Sequence, residues 1–204
     1  MPFASTGPPT LRVRSSQVCW SVLYTAAGQL RCFMVVKAAE LVGLQERTVQ
    51  IRRFRPGEEP ALFEVYYSAI HQVASRDYSP EQIEAWAPRD LDPALWQERI
   101  RGIKPFVADL DGEVVGYADL QANGYIDHFF VSGHHPRRGV GAMLMNRILR
   151  EADAVGLPEL TSDVSRTAQG FFERFGFRVI EQRKPVRRGV VIPNALMKRE
   201  LRHA

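Results

Sequence analysis

The chain has 204 residues, 45% hydrophobic and 10% aromatic, with two cysteines and 27 Lys+Arg against 23 Asp+Glu, a composition that fits one globular domain with additional segments. A chain of this length buries enough apolar surface to fold without disulfides or a structural metal, and bulk disorder is excluded. The net charge of +4 suits a nucleic acid or an anionic membrane only if it is concentrated on the folded part. It is not. Residues 1–48 hold five basic side chains (Arg12, Arg14, Arg31, Lys37, Arg47) against Glu40 and Glu46, so residues 49–204 are close to neutral.

Both cysteines, Cys19 and Cys32, fall in that first segment, and residues 49–204 contain none. A cysteine nucleophile and thiolate metal sites are therefore excluded there. The five histidines lack metal-ligand spacing, and the expectation is no metal. The apolar stretch from Val18 to Leu30 is too short to span a bilayer. Residues 1–48 read as an N-terminal extension outside the functional domain, either flexible or upstream of an internal start at Met34, in preference to a secretory or transit signal.

From Val49 the pattern becomes regular. Val49, Ile51 and Phe54 predict a strand closed by the turn Arg55-Pro56-Gly57. Leu62, Phe63, Val65, Tyr66, Ile70 and Val73 recur at helical spacing and predict a helix over 58–74. Ser79-Pro80-Glu81-Gln82 is a capping box with proline at the first helical position, and Asp92-Pro93 repeats the start signal for a helix ending near Ile100. A β-meander follows over 105–110, 113–120 and 125–132, with Asp111-Gly112 as its first turn. Helices at about 139–154 and 166–175, and strands at about 159–164, 177–186 and 190–201, complete the chain.

The chemically informative stretch runs from Ile126 to Leu144, where a strand leads through Arg137-Arg138-Gly139-Val140-Gly141-Ala142 straight into an amphipathic helix. The first N–H groups of a helix have no intrahelical partner, and glycines let the chain turn so that these groups converge on an anion. The Rossmann fingerprint fits less well, although Asp163 has the spacing of its acidic residue, because Leu144 replaces the third Gly or Ala and the preceding strands form a meander. A P-loop fails because no Gly-Lys-Ser/Thr follows.

Here the sequence resembles the GNAT superfamily of N-acetyltransferases, over residues 49–202. The family's pyrophosphate loop, Gln/Arg-x-x-Gly-x-Gly/Ala, falls on Pro136 to Gly141, with Pro136 departing from the pattern. Its Asn-x-x-Ala-x-x-Phe-Tyr-x-x-x-Gly-Phe element falls on Ser165 to Phe177, with Ser165 in place of Asn and Phe172 in place of Tyr. Asp77-Tyr78-Ser79-Pro80-Glu81-Gln82 and Ala85-Trp86-Ala87 make the match closest to a bacterial subgroup of largely unassigned substrate.

The resemblance implies an α/β (α+β) fold with a mixed, mostly antiparallel sheet of about six or seven strands flanked by four or five helices. It implies a cytoplasmic enzyme that uses acetyl-CoA as cosubstrate and acetylates a small-molecule amine or an amino-group acceptor by direct attack, without nucleic acid or membrane. The cosubstrate would lie between the strands at 125–132 and 159–164. Backbone groups of Phe129, Phe130 and Val131 would pair with the pantetheine arm, Arg137, Arg138, Gly139, Val140, Gly141 and Ala142 would cradle the pyrophosphate, and Ser165 and Phe172 would complete the site. Asp127 is the candidate general base, on the face of Phe129 and Val131 by strand alternation, whereas His128 faces the other way into the core. Asp163 is a lesser candidate, on the face of Thr161 and Ser165. Phe172 cannot donate a proton, which leaves Tyr78, Tyr125, Ser165 or water to protonate the leaving thiolate. Tyr78 and Trp86 would border the acceptor pocket, formed by residues 68–90. Arg183, Lys184, Arg187 and Arg188 form a second basic cluster, read by default as a solvated turn, with an acidic substrate as the other reading. An exposed last strand would allow a homodimer. The alternative functions are a non-catalytic acyl-CoA-binding or regulatory module and, third, a nucleic-acid-binding protein.

Overall fold

The computed structural model describes residues 20–24, 30–34 and 48–201. The chain divides into two units, Met1–Glu46 and Arg47–Ala204. In the first, β1 (Trp20–Tyr24) pairs antiparallel with β2 (Leu30–Met34), in register from Trp20 opposite Met34 to Tyr24 opposite Leu30. The rest of that segment, including the proposed internal start's surroundings, lies outside the described residues.

The second unit is built on two four-stranded sheets. One has the order β3 (Val49–Arg53), β4 (Phe106–Leu110), β5 (Glu113–Ala118), β7 (Phe129–Val131), antiparallel throughout. The other has the order β6 (Tyr125–Ile126), β8 (Glu159–Ser165), β12 (Asn194–Glu200), β9 (Arg178–Arg183), antiparallel except for the parallel pair β6 and β8. A separate ribbon joins β10 (Val186–Arg187) to β11 (Val190–Val191). Helices α1 (Glu59–Ser68), α2 (Pro80–Trp86) and α3 (Pro93–Ile103) share one core with Val107 and Tyr117, around Leu62, Ile70, Trp96 and Ile100. Helices α4 (Val140–Ala154) and α5 (Arg166–Arg174) share the other, where Leu144, Met145 and Ile148 meet Phe106, Ala108 and Leu110. This is the mixed, mostly antiparallel α/β architecture with five α-helices that the sequence implies.

Several elements differ from the sequence reading, each for a local reason. The strand expected over 125–132 is two strands in different sheets. The side chain of Asp119, just past β5, accepts the backbone N–H groups of both Asp127 (2.9 Å) and His128 (2.6 Å) at Oδ1, and the Asp119 N–H donates to the His128 carbonyl (3.0 Å). Those two residues are thereby held out of a continuous strand. Upstream, Gly124 has φ +81°, and a Cβ there would overlap the Glu159 carbonyl. Only glycine lets β8 approach this closely.

The helix expected over 58–74 is α-helical only to Ser68, continues as a π-turn over Ala69–Val73 and ends in the 3-10 turn Ala74–Arg76. Ser68 Oγ donates to the Val65 carbonyl (3.1 Å) and accepts from the Gly133 N–H (3.3 Å), so a side chain enters the helical ladder where the 132–139 loop docks. The last two expected strands are each interrupted near a proline, at Pro185 and Pro193, which lack the N–H that a ladder needs. The detached tip turns through Arg188 and Gly189, both with positive φ, as a two-residue hairpin requires. The last long strand, β12, is not an exposed edge, because it lies between β8 and β9; the sheet's edge strands are β6 and β9.

Candidate active site

Beyond residue 126 the two sheets diverge. β7 pairs with β5 on one side only, and β8 pairs with β6 only at Thr161 and Ser162, so β7 and the 163–165 end of β8 present open edges to one another. A cleft of about 280 Å³ lies between them, lined by Phe129, Val131, Gly141, Val164, Ala168 and Phe172 among others. Its apolar wall is continuous with the core, where Phe172 is buried and meets Phe129, Phe171 and Phe177 with ring centroids 5.4, 5.8 and 5.0 Å apart.

The start of α4 opens at one end of this cleft. Gly139 occupies the N-cap position with φ +73°, and Arg137 has φ +59°; both are left-handed. No side chain caps the helix, and its first N–H to find a backbone acceptor is that of Met143, bonded to the Gly139 carbonyl. The N–H groups of Val140, Gly141 and Ala142 therefore remain for a ligand. A Cβ at Gly141 would stand 3.3 Å from the Phe171 ring, a tight contact that the absence of a side chain avoids. Arg137 and Arg138 are exposed and, among the described residues, have no acidic partner. An uncapped helix start with two unmatched guanidinium groups fits a pyrophosphate, and two open strand edges fit an extended arm bearing amides.

A second, wider cleft of about 1170 Å³ lies on the other side of the junction. Its aromatic wall includes Tyr66, Trp86, Trp96, His128 and Phe130. The two clefts share Trp86, Asp127, Phe130, Asp163 and Ser165. Thus the expected pocket around Tyr78 and Trp86 is present, but α3 and the hairpin region 181–192 supply much of its lining.

The candidate catalytic groups gather at this junction. Asp127 stands where the strand breaks and borders both clefts; its Oδ2 is bonded by Arg99 of α3 and lies 3.5 Å from His128 Nε2. His128 is packed among Tyr66, Trp96, Tyr117 and Phe130, and burial pushes its pKa down to about 4, with the Asp127 charge opposing that shift. It is neutral near pH 7. Its Nδ1 lies 3.0 Å from the buried Tyr117 hydroxyl, and its Nε2 faces the Asp127 carboxylate. Asp163 accepts from the Tyr125 hydroxyl (3.0 Å) and from Arg183 Nη1 (3.1 Å), and Thr161, Asp163 and Ser165 share one face of β8 as expected. Burial, then the Asp163 carboxylate, raise the Tyr125 phenol well above its ordinary range. Tyr78 is buried; its hydroxyl donates to the Pro193 carbonyl (2.6 Å) and accepts from the Arg166 N–H (2.9 Å), tying β12 to the start of α5. Burial raises its pKa as well. Ser165 is the N-cap residue of α5, but its side chain makes no capping bond.

Three participants escape the sequence reading. Asp119 is fully buried, and burial first, with the nearby Asp127 charge, pushes its pKa up to about 6 against the hydrogen bonds it accepts. Arg99 lies on α3, a helix in which the sequence reading named no functional residue. Ser162 Oγ donates to the Ile126 carbonyl (2.8 Å), fixing the last bond before the sheets separate. Their signal in the sequence is faint: a lone Asp after an apolar strand, and a Ser at an inward-facing position.

The fold and the comparisons with known proteins together define an acyltransferase. Residues 74–198 match the profile of the acetyltransferase (GNAT) domain. The uncharacterized N-acetyltransferase YafP of Escherichia coli K12 is 34% identical over 155 residues, 76% of this chain and 98% of that protein. The chain belongs to the GNAT family of N-acetyltransferases. Among solved structures, a GCN5-related N-acetyltransferase from Rhodopseudomonas palustris is 30% identical, with a TM-score of 0.72 over 76% of this chain and 96% of its own. The yncA protein of Salmonella typhimurium, whose structure contains acetyl-CoA, shares the fold at 19% identity and a TM-score of 0.56, over 77% of this chain and 96% of its own. Among the described residues, no helix is long and apolar enough to cross a membrane, and no group of three His, Cys, Asp or Glu side chains is placed to hold a metal ion.

Proposed function

We propose that residues 49–202 form a unit that transfers the acetyl group of acetyl-CoA to the amine of a small molecule or other amino-group acceptor, by direct attack. The observation that carries this reading is the meeting of a narrow amide-edged cleft and a wide aromatic cleft at Asp127, Asp163 and Ser165. In this reading the start of α4, Arg137 through Ala142, holds the pyrophosphate of acetyl-CoA. The open edge of β7 at Phe129, Phe130 and Val131 pairs with the pantetheine amides, and Ser165 and Phe172 flank the arm. A backbone N–H of β7 faces the thioester carbonyl and stabilises negative charge as it develops on the oxygen. The acceptor approaches from the wide cleft.

Attack needs a neutral amine. The C–N bond forms, the C–S bond breaks, and one proton must leave nitrogen while another reaches sulfur. Asp127 accepts the first, directly or through water, since it borders both clefts and its partner Arg99 is an exposed side chain free to adjust. For the second, the protons of Tyr78 and Tyr125 are already donated to Pro193 and Asp163. That engagement supports water from the wide cleft as the source, with Tyr125 and Asp163 orienting the junction. No cysteine in residues 49–204 competes for the acetyl group. In this reading the enzyme works in the cytoplasm, as the family resemblance implies.

Isothermal titration with acetyl-CoA, followed by CoA-release assays with a panel of primary amines, tests this function. Saturable binding and amine-dependent release are expected; absence of binding at high micromolar acetyl-CoA would refute the reading. The loss of the family's tyrosine at Phe172 favours, as the second reading, a non-catalytic acyl-CoA module. Such a module would bind acetyl-CoA and release CoA only slowly, at a rate unchanged by Asp127→Asn.

A further inference from the structure

The charge lining the wide cleft is unbalanced. Five basic side chains, Arg99, Arg183, Lys184, Arg187 and Arg188, face it against three carboxylates, Asp127, Asp163 and Glu181. Three of the five are matched: Arg99 by Asp127, Arg183 by Asp163 (3.1 Å) and Glu181 (2.8 Å), and Arg188 by Asp90 (3.3 Å). Among the described residues, Lys184 and Arg187 have no acidic partner, although both line the cleft. Arg187 belongs to β10, in the ribbon that the two prolines detach from the sheet. Burial raises the Tyr66 phenol and lowers the His128 imidazole of the aromatic wall, and the Arg187 charge makes a smaller contribution at each, against the first shift and along with the second. Both Arg187 and Lys184 are exposed to solvent, and what sets them apart from the other basic residues of this segment is that they line the cleft without an acidic partner among the described residues.

We infer that the acceptor is an anionic amine, a primary amine that also carries a carboxylate or phosphate group, with its oxyanion held by Arg187 and Lys184 and its nitrogen placed at the junction beside Asp127 and Asp163. The inference rests on the acetyl-transfer reading and adds the chemical class of the acceptor. The geometry separates the two charges of such a molecule: the carboxylates that would attract an ammonium group lie where the clefts meet, and the two unmatched cations lie at the hairpin end. Between them Tyr66, Trp86, Trp96 and Phe130 offer aromatic surface to the acceptor's body. Arg187 is then a specificity-determining residue, since a neutral amine would leave it without its anion.

The test compares matched acceptors that differ only in the anion: phenylalanine against phenylalaninamide, and aminoethyl phosphate against aminoethanol. The two pairs distinguish a carboxylate from a phosphate. In at least one pair, kcat/KM should favour the anion by roughly tenfold to a hundredfold, the usual strength of a hydrogen bond to a charged group. Arg187→Gln should weaken the preference through KM, Arg187→Gln combined with Lys184→Gln should abolish it, and Arg187→Lys should keep more of it than Arg187→Gln. Equal use of both members of each pair, or a preference left at full strength by the combined Arg187→Gln and Lys184→Gln variant, overturns the inference while leaving acetyl transfer intact. Titration of the CoA-loaded protein with the same pairs reads the preference without turnover, and no difference in affinity there overturns it too. Failure to bind acetyl-CoA would instead overturn the transfer reading itself, and the inference with it.

Discussion

Asp119 is the residue on which the geometry of the junction turns, and its replacement by asparagine gives a signed prediction. In the folded protein its carboxyl is pushed up to about 6 from an ordinary 3.8, chiefly by burial. The folded state therefore holds this proton more tightly than the unfolded chain. The resulting stability is fully present below about pH 4 and is lost as pH rises through about 6; at about 1.4 kcal/mol per pH unit the loss is about 3 kcal/mol. His128, whose N–H is bonded by Asp119, has the opposite linkage. Its imidazole is pushed down to about 4 from 6.5, again chiefly by burial. Its contribution is present above pH 6.5 and is lost as pH falls toward 4, also by about 3 kcal/mol. The two slopes oppose one another over nearly the same window, so together they leave the wild-type profile shallow. Asp119→Asn keeps an amide oxygen for the N–H groups of Asp127 and His128 but removes one of the two titrations. Urea denaturation followed by tryptophan fluorescence between about pH 4 and about pH 7 should show the variant gaining stability relative to wild type as pH rises, by up to about 3 kcal/mol. Parallel profiles for the two proteins would refute the assignment of a raised carboxyl pKa to Asp119.

Further predictions concern the site directly. Tyr78→Phe removes the bonds to Pro193 and Arg166 and should cost about 1–3 kcal/mol of stability while leaving kcat within a few-fold; a hundredfold loss of kcat in a folded variant would make Tyr78 the proton donor instead. Arg138→Glu combined with Gly141→Asp sets negative charge against the phosphates and should weaken acetyl-CoA binding by roughly a hundredfold in calorimetry. Wild-type affinity in that variant would displace the pyrophosphate from the start of α4. Asp127→Asn preserves the side chain's shape and should lower kcat by about a hundredfold or more with little change in acetyl-CoA affinity, whereas retained turnover would remove Asp127 from the base role.

The elements legible in the sequence are those whose signals are local. The Ser79 and Gln82 capping box forms as read, with Gln82 N–H donating to Ser79 Oγ (3.3 Å) and Ser79 N–H to Gln82 Oε1 (3.0 Å). Asp92 caps α3 through the Ala94 N–H (2.8 Å), and the chain turns before α4 at Gly139 as read, although the second left-handed residue there is Arg137 and not Gly141. What escaped is set by distant partners. Alternation over 125–132 reads as one strand; the break depends on the Asp119 carboxylate and on Gly124 passing under the Glu159 carbonyl, neither of which periodicity registers. The π-turn after α1 depends on Ser68 reaching the Gly133 N–H, 65 positions along the chain. Likewise the basic residues of the 183–188 segment look alike in sequence. Only the positions of Asp163, Glu181 and Asp90 separate the matched Arg183 and Arg188 from the unmatched Lys184 and Arg187.

Acetyl transfer at the junction of the two clefts is tested most directly by following isotopically labelled acetyl-CoA in single-turnover reactions with and without an acceptor amine. Direct attack predicts negligible CoA release from the protein and acetyl-CoA alone, then, once amine is added, one CoA for each labelled acetamide and no label on the protein. A stoichiometric burst of CoA in the absence of amine, with label retained on the protein chain, would contradict it.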